Sequence, residues 1–303
     1  MENKTKSGFI AMAGKPNVGK STLINSLMGQ KIVITSNKPQ TTRNKINCIY
    51  TEDNYQMIFV DTPGIHKPLH KLGEYMVDIA VNSLNGVDIV LFVLESTHMP
   101  TEEDERVYTI VRKSKIPYLC VINKTDRKKE EVINHIKSSD YVKNEKCLGV
   151  IETSAINGEN TEELKNKIKE ILPFGPMYYP EDTITDRPSR FLISELIREK
   201  IFNLTSQEVP HSSGVVIEDL KTRENGMLYV RAYIYMERES QKGIIIGKNG
   251  QMIKEIGQLA RKDIEDLFEM PVFLDLHVKV KKNWRESDFL IRNTMEFKND
   301  IKK

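Results

Sequence analysis

A glycine-rich segment near the start of the chain carries residues suited to binding a phosphate chain. Gly14-Lys15-Pro16-Asn17-Val18-Gly19-Lys20-Ser21 fits the pattern G-x-x-x-x-G-K-[ST] and lies between a predicted strand and a predicted helix. The glycines let backbone N–H groups turn toward phosphate oxygens, and the start of the helix, with Thr22, adds its positive dipole end. We expect Lys20 to contact the β- and γ-phosphates and the Ser21 hydroxyl to bind Mg²⁺. The segment therefore predicts a nucleoside triphosphate site.

A second short motif, Asp61-Thr62-Pro63-Gly64, directly follows an apolar strand. The Asp61 carboxylate can hold Mg²⁺, directly or through a water molecule, and the Gly64 N–H can contact a γ-phosphate. A D-x-x-G match is frequent by chance, so an ordinary turn at the end of a strand is the alternative. Its position after a strand, downstream of the glycine-rich loop, favours the phosphate and metal interpretation for all four residues.

A third motif, Asn123-Lys124-Thr125-Asp126, ends another apolar strand and predicts which base is bound. The Asp126 carboxylate can accept hydrogen bonds from guanine N1–H and the exocyclic amine. Adenine offers no donors there, and a site built on such hydrogen bonds discriminates by factors of about 10⁴–10⁵. Ser154-Ala155 follows the last strand of this half, where a backbone N–H could read guanine O6. Together with Asn123 and Lys124, these residues predict a guanine site.

The elements that must position these motifs form an α/β pattern. Between residues 8 and 172, β-rich runs alternate with helical runs, which is typical of a doubly wound, mostly parallel sheet. The short gap between the second and third runs requires antiparallel neighbours, so one edge strand is expected to be antiparallel. The predicted strands are 9–13, 45–50, 56–60, 89–94, 118–122 and 149–153, and the predicted helices are 20–28, 72–85, 102–114, 129–138 and 161–171.

The second half of the chain reads as a separate, smaller α+β domain. A proline-rich stretch breaks the periodicity, so we predict a nucleotide-binding domain at 1–173, a linker at 174–188 and a second domain at 189–303 with a basic or helical tail. The order of its elements is α-β-β-α-α-β. Gly247-Lys248-Asn249-Gly250 is a G-x-x-G loop between two of its helices. This pattern resembles a type II KH module, whose glycine loop clamps a nucleic-acid backbone.

A basic tract follows the last predicted strand and contains Lys281, Lys282, Trp284 and Arg285. Cations pair with phosphates and bases stack on tryptophan, so the tract is suited to single-stranded RNA. The alternative is a solvated strand end whose single tryptophan fills the core, and the sequence leaves both open.

The bulk composition is typical of a globular protein and does not by itself indicate a binding partner. The 303 residues carry a formal net charge of +2, which is too small to indicate nucleic acid by itself. The three cysteines are odd in number and far apart, so they indicate neither a disulfide framework nor a zinc site. No apolar run approaches a membrane span and no signal peptide is apparent. We therefore expect a reduced, cytoplasmic protein.

The order of the nucleotide motifs resembles the translation-factor-related GTPases, whose loops read G-x-P-N-V-G-K-S. The resemblance implies that Thr42 completes the Mg²⁺ shell, with Thr41 as the alternative, and that Lys20, Asn17 and Thr42 serve hydrolysis. Ile65 stands where Ras-like proteins carry a glutamine that orients water. Slow hydrolysis is therefore expected unless another group supplies charge stabilisation. Related GTPases use the asparagine equivalent to Asn17 to hold K⁺, which we expect here.

With both domains in this order, nearly the whole chain resembles the Era family of bacterial GTPases. The resemblance implies GTP and GDP binding, contact with 16S ribosomal RNA near its 3′ end, action on the 30S subunit and peripheral inner-membrane association. It implies a monomer that does not bind DNA. The main alternative is a GTPase switch whose C-terminal domain docks a protein or a membrane surface. A second active site in that domain is disfavoured because residues 181–303 contain no cysteine and only two histidines, His211 and His277.

Overall fold

The computed structural model describes residues 5–38, 41–67 and 71–286. The chain divides into two units. The first comprises Met1–Val33, Thr42–Leu69 and Gly73–Asp186, and the second comprises Ile34–Thr41, His70–Leu72 and Arg187–Lys303. The sequence predicted contiguous domains, whereas the segment 34–41 groups with the second unit. Among the described residues, no helix is both long and apolar enough to cross a membrane.

The first unit is built on a six-stranded sheet with the order β2-β3-β1-β4-β5-β6. Neighbouring strands are parallel except for the hairpin of β2 and β3, so the predicted antiparallel edge strand is confirmed. Parallel strands covered on both faces read as continuous apolar runs, and Ile89 to Val93 are all fully buried. The strands are β1 (Lys6–Ala13), β2 (Ile46–Glu52), β3 (Tyr55–Asp61), β4 (Ile89–Glu95), β5 (Tyr118–Asn123) and β6 (Cys147–Glu152).

Helices connect the strands, and the carboxyl ends of three strands that carry motif residues lie at one edge of the sheet. The prediction located five of the six helices within three residues at each end and missed α5, which is a single turn. Motif residues follow β1, β3 and β5, whose carboxyl ends meet at one edge of the sheet, where open α/β sheets bind ligands. The helices are α1 (Lys20–Met28), α2 (Lys71–Asn82), α3 (Glu102–Ser114), α4 (Glu130–Ser138), α5 (Asp140–Lys143) and α6 (Thr161–Ile171).

The segment predicted as a linker packs on the first unit as far as Asp186. The Ser7 hydroxyl donates to the carbonyl of Pro176 at 2.6 Å, and the N–H groups of Tyr178 and Tyr179 donate to Gln56 Oε1 at 2.8 and 3.0 Å. These contacts join main-chain groups to side chains of β1 and β3, so they leave no periodic apolar pattern for sequence reasoning to find. Most of the predicted linker therefore belongs to the first unit.

The second unit contains a three-stranded sheet with the order β7-β8-β9, in which β7 and β8 are antiparallel and β8 and β9 parallel. On β8, Val230, Ala232 and Ile234 face a core that helix residues complete. The α-β-β-α-α-β order is as predicted, with an additional single-turn helix. The elements are α7 (Ser189–Leu204), α8 (Val209–Ser212), β7 (Gly214–Thr222), β8 (Leu228–Met236), α9 (Glu239–Ile246), α10 (Gln251–Phe268) and β9 (Val272–Val280). Residues 287–303, at the end of the predicted tail, lie outside the described residues.

Candidate nucleotide and nucleic-acid sites

The glycine-rich loop between β1 and α1 has a backbone that only small residues permit. Gly19 has a φ of 96°, and a Cβ there would lie 2.3 Å from the Asn123 amide nitrogen. A Cβ at Gly14 would lie 2.7 Å from the carbonyl oxygen of Val93 on β4. Both contacts are too close for any side chain. The glycines thus hold the loop against the ends of β4 and β5, which brings the phosphate and base motifs together.

The two lysines of this loop take different directions. The Lys20 ammonium donates to the carbonyls of Gly14 and Lys15, both at 3.0 Å, and so spans the loop. Burial lowers the pKa of Lys20 to about 8, while the nearby Asp61 charge opposes the shift. The Lys15 ammonium instead pairs with Asp104 at 2.8 Å. Lys20 is thus placed to stabilise phosphate charge, whereas Lys15 can contribute only its backbone to the predicted site.

Three oxygen-bearing side chains converge beside Lys20. Ser21 Oγ lies 3.0 Å from Thr42 Oγ1 and donates to Asp61 Oδ2 at 2.9 Å, and Thr42 Oγ1 donates to the same carboxylate oxygen at 3.3 Å. Hydroxyl and carboxylate oxygens are the ligands that Mg²⁺ prefers. The Thr41 hydroxyl donates to the carbonyl of Lys38, away from this cluster. Of the two threonines that the sequence left open, Thr42 is therefore the one whose hydroxyl joins Ser21 and Asp61.

The electrostatics of the cluster suit a site that receives a cation. Asp61 is fully buried, and burial raises its pKa to about 6, while Lys20 and the hydroxyls of Ser21 and Thr42 oppose the shift. A buried carboxylate with its charge only partly compensated is stabilised by a divalent ion, which adds the missing positive charge. The three residues can therefore hold Mg²⁺ and gain stability by doing so.

The residues after Asp61 form a turn against the glycine-rich loop. A Cβ at Gly64 would lie 2.7 Å from the backbone nitrogen of Pro16, so a glycine is needed for this approach. The Thr62 hydroxyl donates to the Met12 carbonyl at 2.8 Å, and Pro63 is buried. The Thr62 hydrogen bond thus fixes the turn, and the phosphate contacts of Thr62 and Pro63 stay a prediction. Thr22, in the first turn of α1, is half-buried.

Ile65 gives the structural reason for the missing water-orienting group. Its side chain is 2% exposed and belongs to the hydrophobic core of the first unit. It therefore points into the protein and cannot contact an attacking water. Asn17 has a φ of 65° and is exposed in the glycine-rich loop.

The base motif is built from β5 and the loop after β6. Asp126 accepts a hydrogen bond from the Ser154 hydroxyl at 2.8 Å, and this bond contributes most to lowering its pKa. The carboxylate is thus charged and oriented, as reading guanine donors requires. Lys124 adopts the left-handed backbone region and its ammonium pairs with Glu95 at 2.7 Å, which fixes the lysine stem beside the base position.

Asn123 and Ala155 connect loops rather than present free groups. The Asn123 amide donates to the Val18 carbonyl at 2.9 Å and accepts from the Ala155 N–H at 3.0 Å. The Ser154 N–H donates to the Glu159 carbonyl at 3.2 Å. Both N–H groups thus have acceptors within the protein in this structure, and the prediction that a backbone N–H at Ser154-Ala155 reads guanine O6 stays a prediction. The side chain of Ser154, which sequence reasoning overlooked, is the group that orients Asp126.

The G-x-x-G loop of the second unit projects as expected for a backbone clamp. Lys248 and Asn249 are exposed at its tip. Gly247 has a φ of 72°, and a Cβ there would lie 2.7 Å from the Met252 side chain. Gly247 is therefore needed for the tight turn of the loop itself, and the exposed tip offers the Lys248 cation.

A groove beside this loop adds residues that the sequence motifs missed. It runs between α10 and β9, and Lys254, Gly257, Arg261, Phe273 and Leu276 are among the residues that line it. Lys254, Gly257 and Arg261 share one face of α10 because they are three and four residues apart. This spacing, next to a G-x-x-G loop, is the sequence signal from which the groove could have been predicted. The groove combines two cations with an apolar wall, which suits a single nucleic-acid strand.

The basic tract after β9 is only partly available to a ligand. Trp284 is fully buried, and its indole N–H donates to the Ser212 carbonyl at 2.8 Å. The prediction that Trp284 stacks on a base is therefore wrong, and the core alternative is correct. Arg285 pairs with Glu237 at 2.5 Å. Lys282 is exposed and the Lys281 ammonium lies 4.2 Å from the centre of the Tyr235 ring, so these two cations can contact phosphate.

The fold and the two sites define the class of protein: a P-loop GTPase domain followed by a KH domain. Two family models match the chain, one described as a 50S ribosome-binding GTPase over residues 9–124 and the other as a KH domain over residues 208–285.

Full-length relatives narrow the class to one family. The GTPase Era of Thermotoga petrophila is 58% identical over 98% of this chain and 99% of its own, and that of Carboxydothermus hydrogenoformans is 50% identical over 95% and 97%. The chain belongs to the Era family of GTPases.

Solved structures agree with this assignment. A crystal structure of Era in complex with MgGDPNP and nucleotides 1506–1542 of 16S ribosomal RNA is 40% identical, covers 96% of this chain and 98% of its own, and superposes with a TM-score of 0.90. A single-substitution variant of Aquifex aeolicus Era bound to GDP·AlF₄⁻ is 39% identical, with coverage of 96% and 99% and a TM-score of 0.90.

Proposed function

We propose that this GTPase binds 16S ribosomal RNA near its 3′ end through its KH domain and assists assembly of the 30S subunit. The observation that carries the proposal is the pairing of two sites in one chain: the Ser21, Thr42 and Asp61 cluster beside Lys20, and the exposed Lys248-Asn249 tip beside a cationic groove. A relative with the same two domains has been crystallised with a GTP analogue and nucleotides 1506–1542 of that RNA.

An equilibrium titration tests the RNA part of the proposal. The chain, loaded with Mg²⁺ and GDPNP, is titrated into an RNA of nucleotides 1506–1542 and into a scrambled RNA of the same length and composition. We expect at least tenfold tighter binding of the native sequence at physiological salt. Equal affinity for the two RNAs would leave only sequence-independent attraction and would contradict the proposal.

Hydrolysis in this chain is attack of water on the γ-phosphate, and its groups have separate roles. When bound, Mg²⁺ would supply positive charge that neutralises the charge on the triphosphate. Ser21 and Thr42 would hold it by their hydroxyls, and Asp61 would support it directly or through water. Lys20, held across the loop by the Gly14 and Lys15 carbonyls, stabilises the negative charge that builds on the transferred phosphoryl group. Asp126 and Ser154 select guanine.

We propose that a bound potassium ion compensates for the lack of a side chain that orients the attacking water. Because Ile65 is buried in the core, the γ-phosphate needs a further source of positive charge. Asn17 is exposed in the glycine-rich loop and can supply an amide oxygen to K⁺. The support for this proposal is the position of Asn17 and the resemblance of its loop to G-x-P-N-V-G-K-S.

We expect GTP hydrolysis to be at least threefold faster in KCl than in NaCl at equal ionic strength, and the difference to disappear in Asn17→Gly. Glycine is chosen because residue 17 has a φ of 65°, where alanine would add strain. Phosphate release under single-turnover conditions is the measurement, with GTP affinity as the control for an intact loop. Equal rates in the two salts for the parent protein would remove the potassium site.

The second unit offers a physical route by which nucleotide state reaches the KH domain. Segment 34–41 groups with that unit, where Ile34 joins its core and the Thr35 N–H donates to Glu199 on α7 at 2.9 Å. Arg198, which is 2% exposed and paired with Glu195, donates to the Thr41 carbonyl at 2.5 Å.

Lys38 adds a second attachment on the same helix. Its ammonium donates to the carbonyls of Phe202 and Thr205, where a cation also complements the negative end of the α7 dipole. The next residue after Thr41 is Thr42, the proposed metal ligand. Binding of Thr42 to the metal, or its release, would therefore displace segment 34–41, which is hydrogen-bonded to α7. The proposed switch uses this connection.

We expect Lys38→Met to uncouple the two ligands. In the parent protein, GDPNP affinity should change at least fivefold when RNA is bound, in line with typical coupling between sites. In Lys38→Met this ratio should fall toward one, while GDPNP affinity without RNA changes less than threefold. Arg198→Lys, which keeps the charge beside Glu195, should retain part of the coupling. If RNA changes the GDPNP affinity of Lys38→Met as much as it changes that of the parent protein, segment 34–41 does not transmit the nucleotide state.

The predictions about localisation, oligomeric state, DNA and membrane association remain proposals. We propose a cytoplasmic protein, as the composition led us to expect, and on the strength of the resemblance we propose a monomer that does not bind DNA and associates peripherally with the inner membrane. The alternative, in which the KH domain docks a protein or membrane surface, is disfavoured by the glycine clamp and by the two cations that line the groove beside it.

A further inference from the structure

The face of the second unit's sheet that points away from the core is rich in aromatic residues. Because side chains alternate along a strand, Tyr229, Tyr233 and Tyr235 of β8 lie on the face opposite Val230, Ala232 and Ile234. Phe273 and His277 of β9 are in register with Tyr229 and Tyr233. Phe273 is 47% exposed and the side chain of His277 is 49% exposed. We call this the outer face, in contrast to the core face that the helices cover.

Cations lie on the aromatic rings of the outer face. Arg223 is 4.5 Å from the centre of the Tyr229 ring and 5.0 Å from that of Phe273, and these two rings stack on each other at 5.8 Å. Lys279 lies 3.3 Å from the Tyr233 ring centre and Lys281 lies 4.2 Å from that of Tyr235. Cation–π contacts hold each charge in place without neutralising it.

The carboxylates of this face are engaged elsewhere. Asp275 pairs with Arg231 and His277, both at 3.0 Å, and Asp219 pairs with Lys221 at 3.0 Å. In the described part of the chain, Arg223, Lys279 and Lys281 have no carboxylate partner. The face therefore presents three fixed, uncompensated cations, which complements a polyanion.

The spacing of these cations fits a short stretch of nucleic acid. From Tyr229 to Tyr235 the strand advances about 20 Å at roughly 3.3 Å per residue, so the three cation–ring pairs are spread along a track of that length. The smallest single-strand sites on OB folds take about four nucleotides, which a track of this length can accommodate.

The outer face continues from the groove beside the G-x-x-G loop. β9 is an edge strand, and Phe273 lines the groove on one side while stacking with Tyr229 on the other. An RNA strand that leaves the groove past Phe273 meets no further β-strand among residues 5–38, 41–67 and 71–286 and can turn over the edge onto the outer face. Phe273 offers an exposed ring for a base at this turn.

We propose that the outer face is a second binding surface for single-stranded RNA, which holds the phosphates of nucleotides flanking those in the groove. The inference rests on the proposed RNA-binding function and extends it. Arg223, Lys279 and Lys281 contact the phosphates, Phe273 stacks on one base, and the contacts are tolerant of sequence because they address backbone and ring faces.

The test compares RNAs of two lengths. The 1506–1542 RNA is shortened from both ends to the smallest fragment that keeps its affinity, and four uridines are then added at each end. We expect the added uridines to tighten binding at least fivefold in the parent protein. In Arg223→Gln/Lys279→Gln this gain should disappear, and the salt dependence of log K should weaken by about 1.4, at about 0.7 per lost contact on a single strand.

The matched control is Lys113→Gln/Lys262→Gln, which removes two exposed lysines from α3 and α10 and should keep the gain. Affinity for the unextended fragment should be the same in all three proteins. Failure of the parent protein to bind that fragment would instead overturn the proposed function itself. An extended RNA that binds both double variants equally overturns the outer-face proposal, as does a change in self-association by sedimentation with RNA affinity unaltered.

Discussion

Replacing Asp126 by Asn is expected to weaken GTP binding at least a hundredfold and to shift preference toward xanthosine triphosphate. The carboxylate accepts from guanine N1–H and the exocyclic amine, and the Ser154 hydroxyl orients it at 2.8 Å. An amide turns one acceptor into a donor, which faces the guanine amine unfavourably but matches the carbonyl of xanthine. A site built on hydrogen bonds loses this much because its polar groups are left unpaired.

Isothermal titration with both nucleotides measures the effect, and Arg127→Gln is the control. Arg127 touches the same carboxylate at 3.2 Å but is 71% exposed, so its removal should change GTP affinity less than threefold. If Asp126→Asn binds GTP as tightly as the parent protein does, Asp126 does not read the base.

The second large effect is expected from Lys248→Asp combined with Asn249→Asp. Both residues are exposed at the tip of the G-x-x-G loop, so two carboxylates would face the RNA backbone. RNA affinity should fall at least a hundredfold at low salt, and by less at high salt because the repulsion is screened. GTP affinity should not change, because the nucleotide residues belong to the other unit.

Lys113→Asp combined with Asn166→Asp introduces the same two changes at exposed positions of the first unit. This control should bind RNA within threefold of the parent protein, which separates local repulsion from a general effect of net charge. Circular dichroism checks folding of both variants. A folded Lys248→Asp/Asn249→Asp protein with parental RNA affinity would refute the KH clamp, and loss of GTP binding would show that the two units are interdependent.

The nucleotide site was accessible from sequence because its chemistry sits in short contiguous motifs. Glycines are required at Gly14 and Gly19, where β4 and Asn123 leave no room for a Cβ. A requirement of this kind appears in the sequence as a fixed pattern of residues. The choice between Thr41 and Thr42 could not be made from the sequence, since both are threonines in a polar loop. It depends on which hydroxyl faces Asp61, and only the folded chain shows that Thr42 does.

The features that sequence reasoning missed are long-range contacts. Segment 34–41 reads as a polar loop, yet Arg198 and Glu199, more than 150 positions away, bind its main chain. A tryptophan in a basic tract looks like a stacking platform, but Trp284 fills the core of the second unit and bonds Ser212. In both cases tertiary packing decides the role, and local composition does not report it.

Crosslinking the protein to RNA in living cells and sequencing the attached fragments tests the central claim most directly. A GTPase that acts on the small subunit through its KH domain should yield reads concentrated within the last few tens of nucleotides of 16S ribosomal RNA. The Lys248→Asp/Asn249→Asp protein should lose this enrichment. Reads spread evenly over cellular RNAs, or an enrichment that the double variant retains, would contradict the claim that this groove binds the 3′ end of 16S ribosomal RNA.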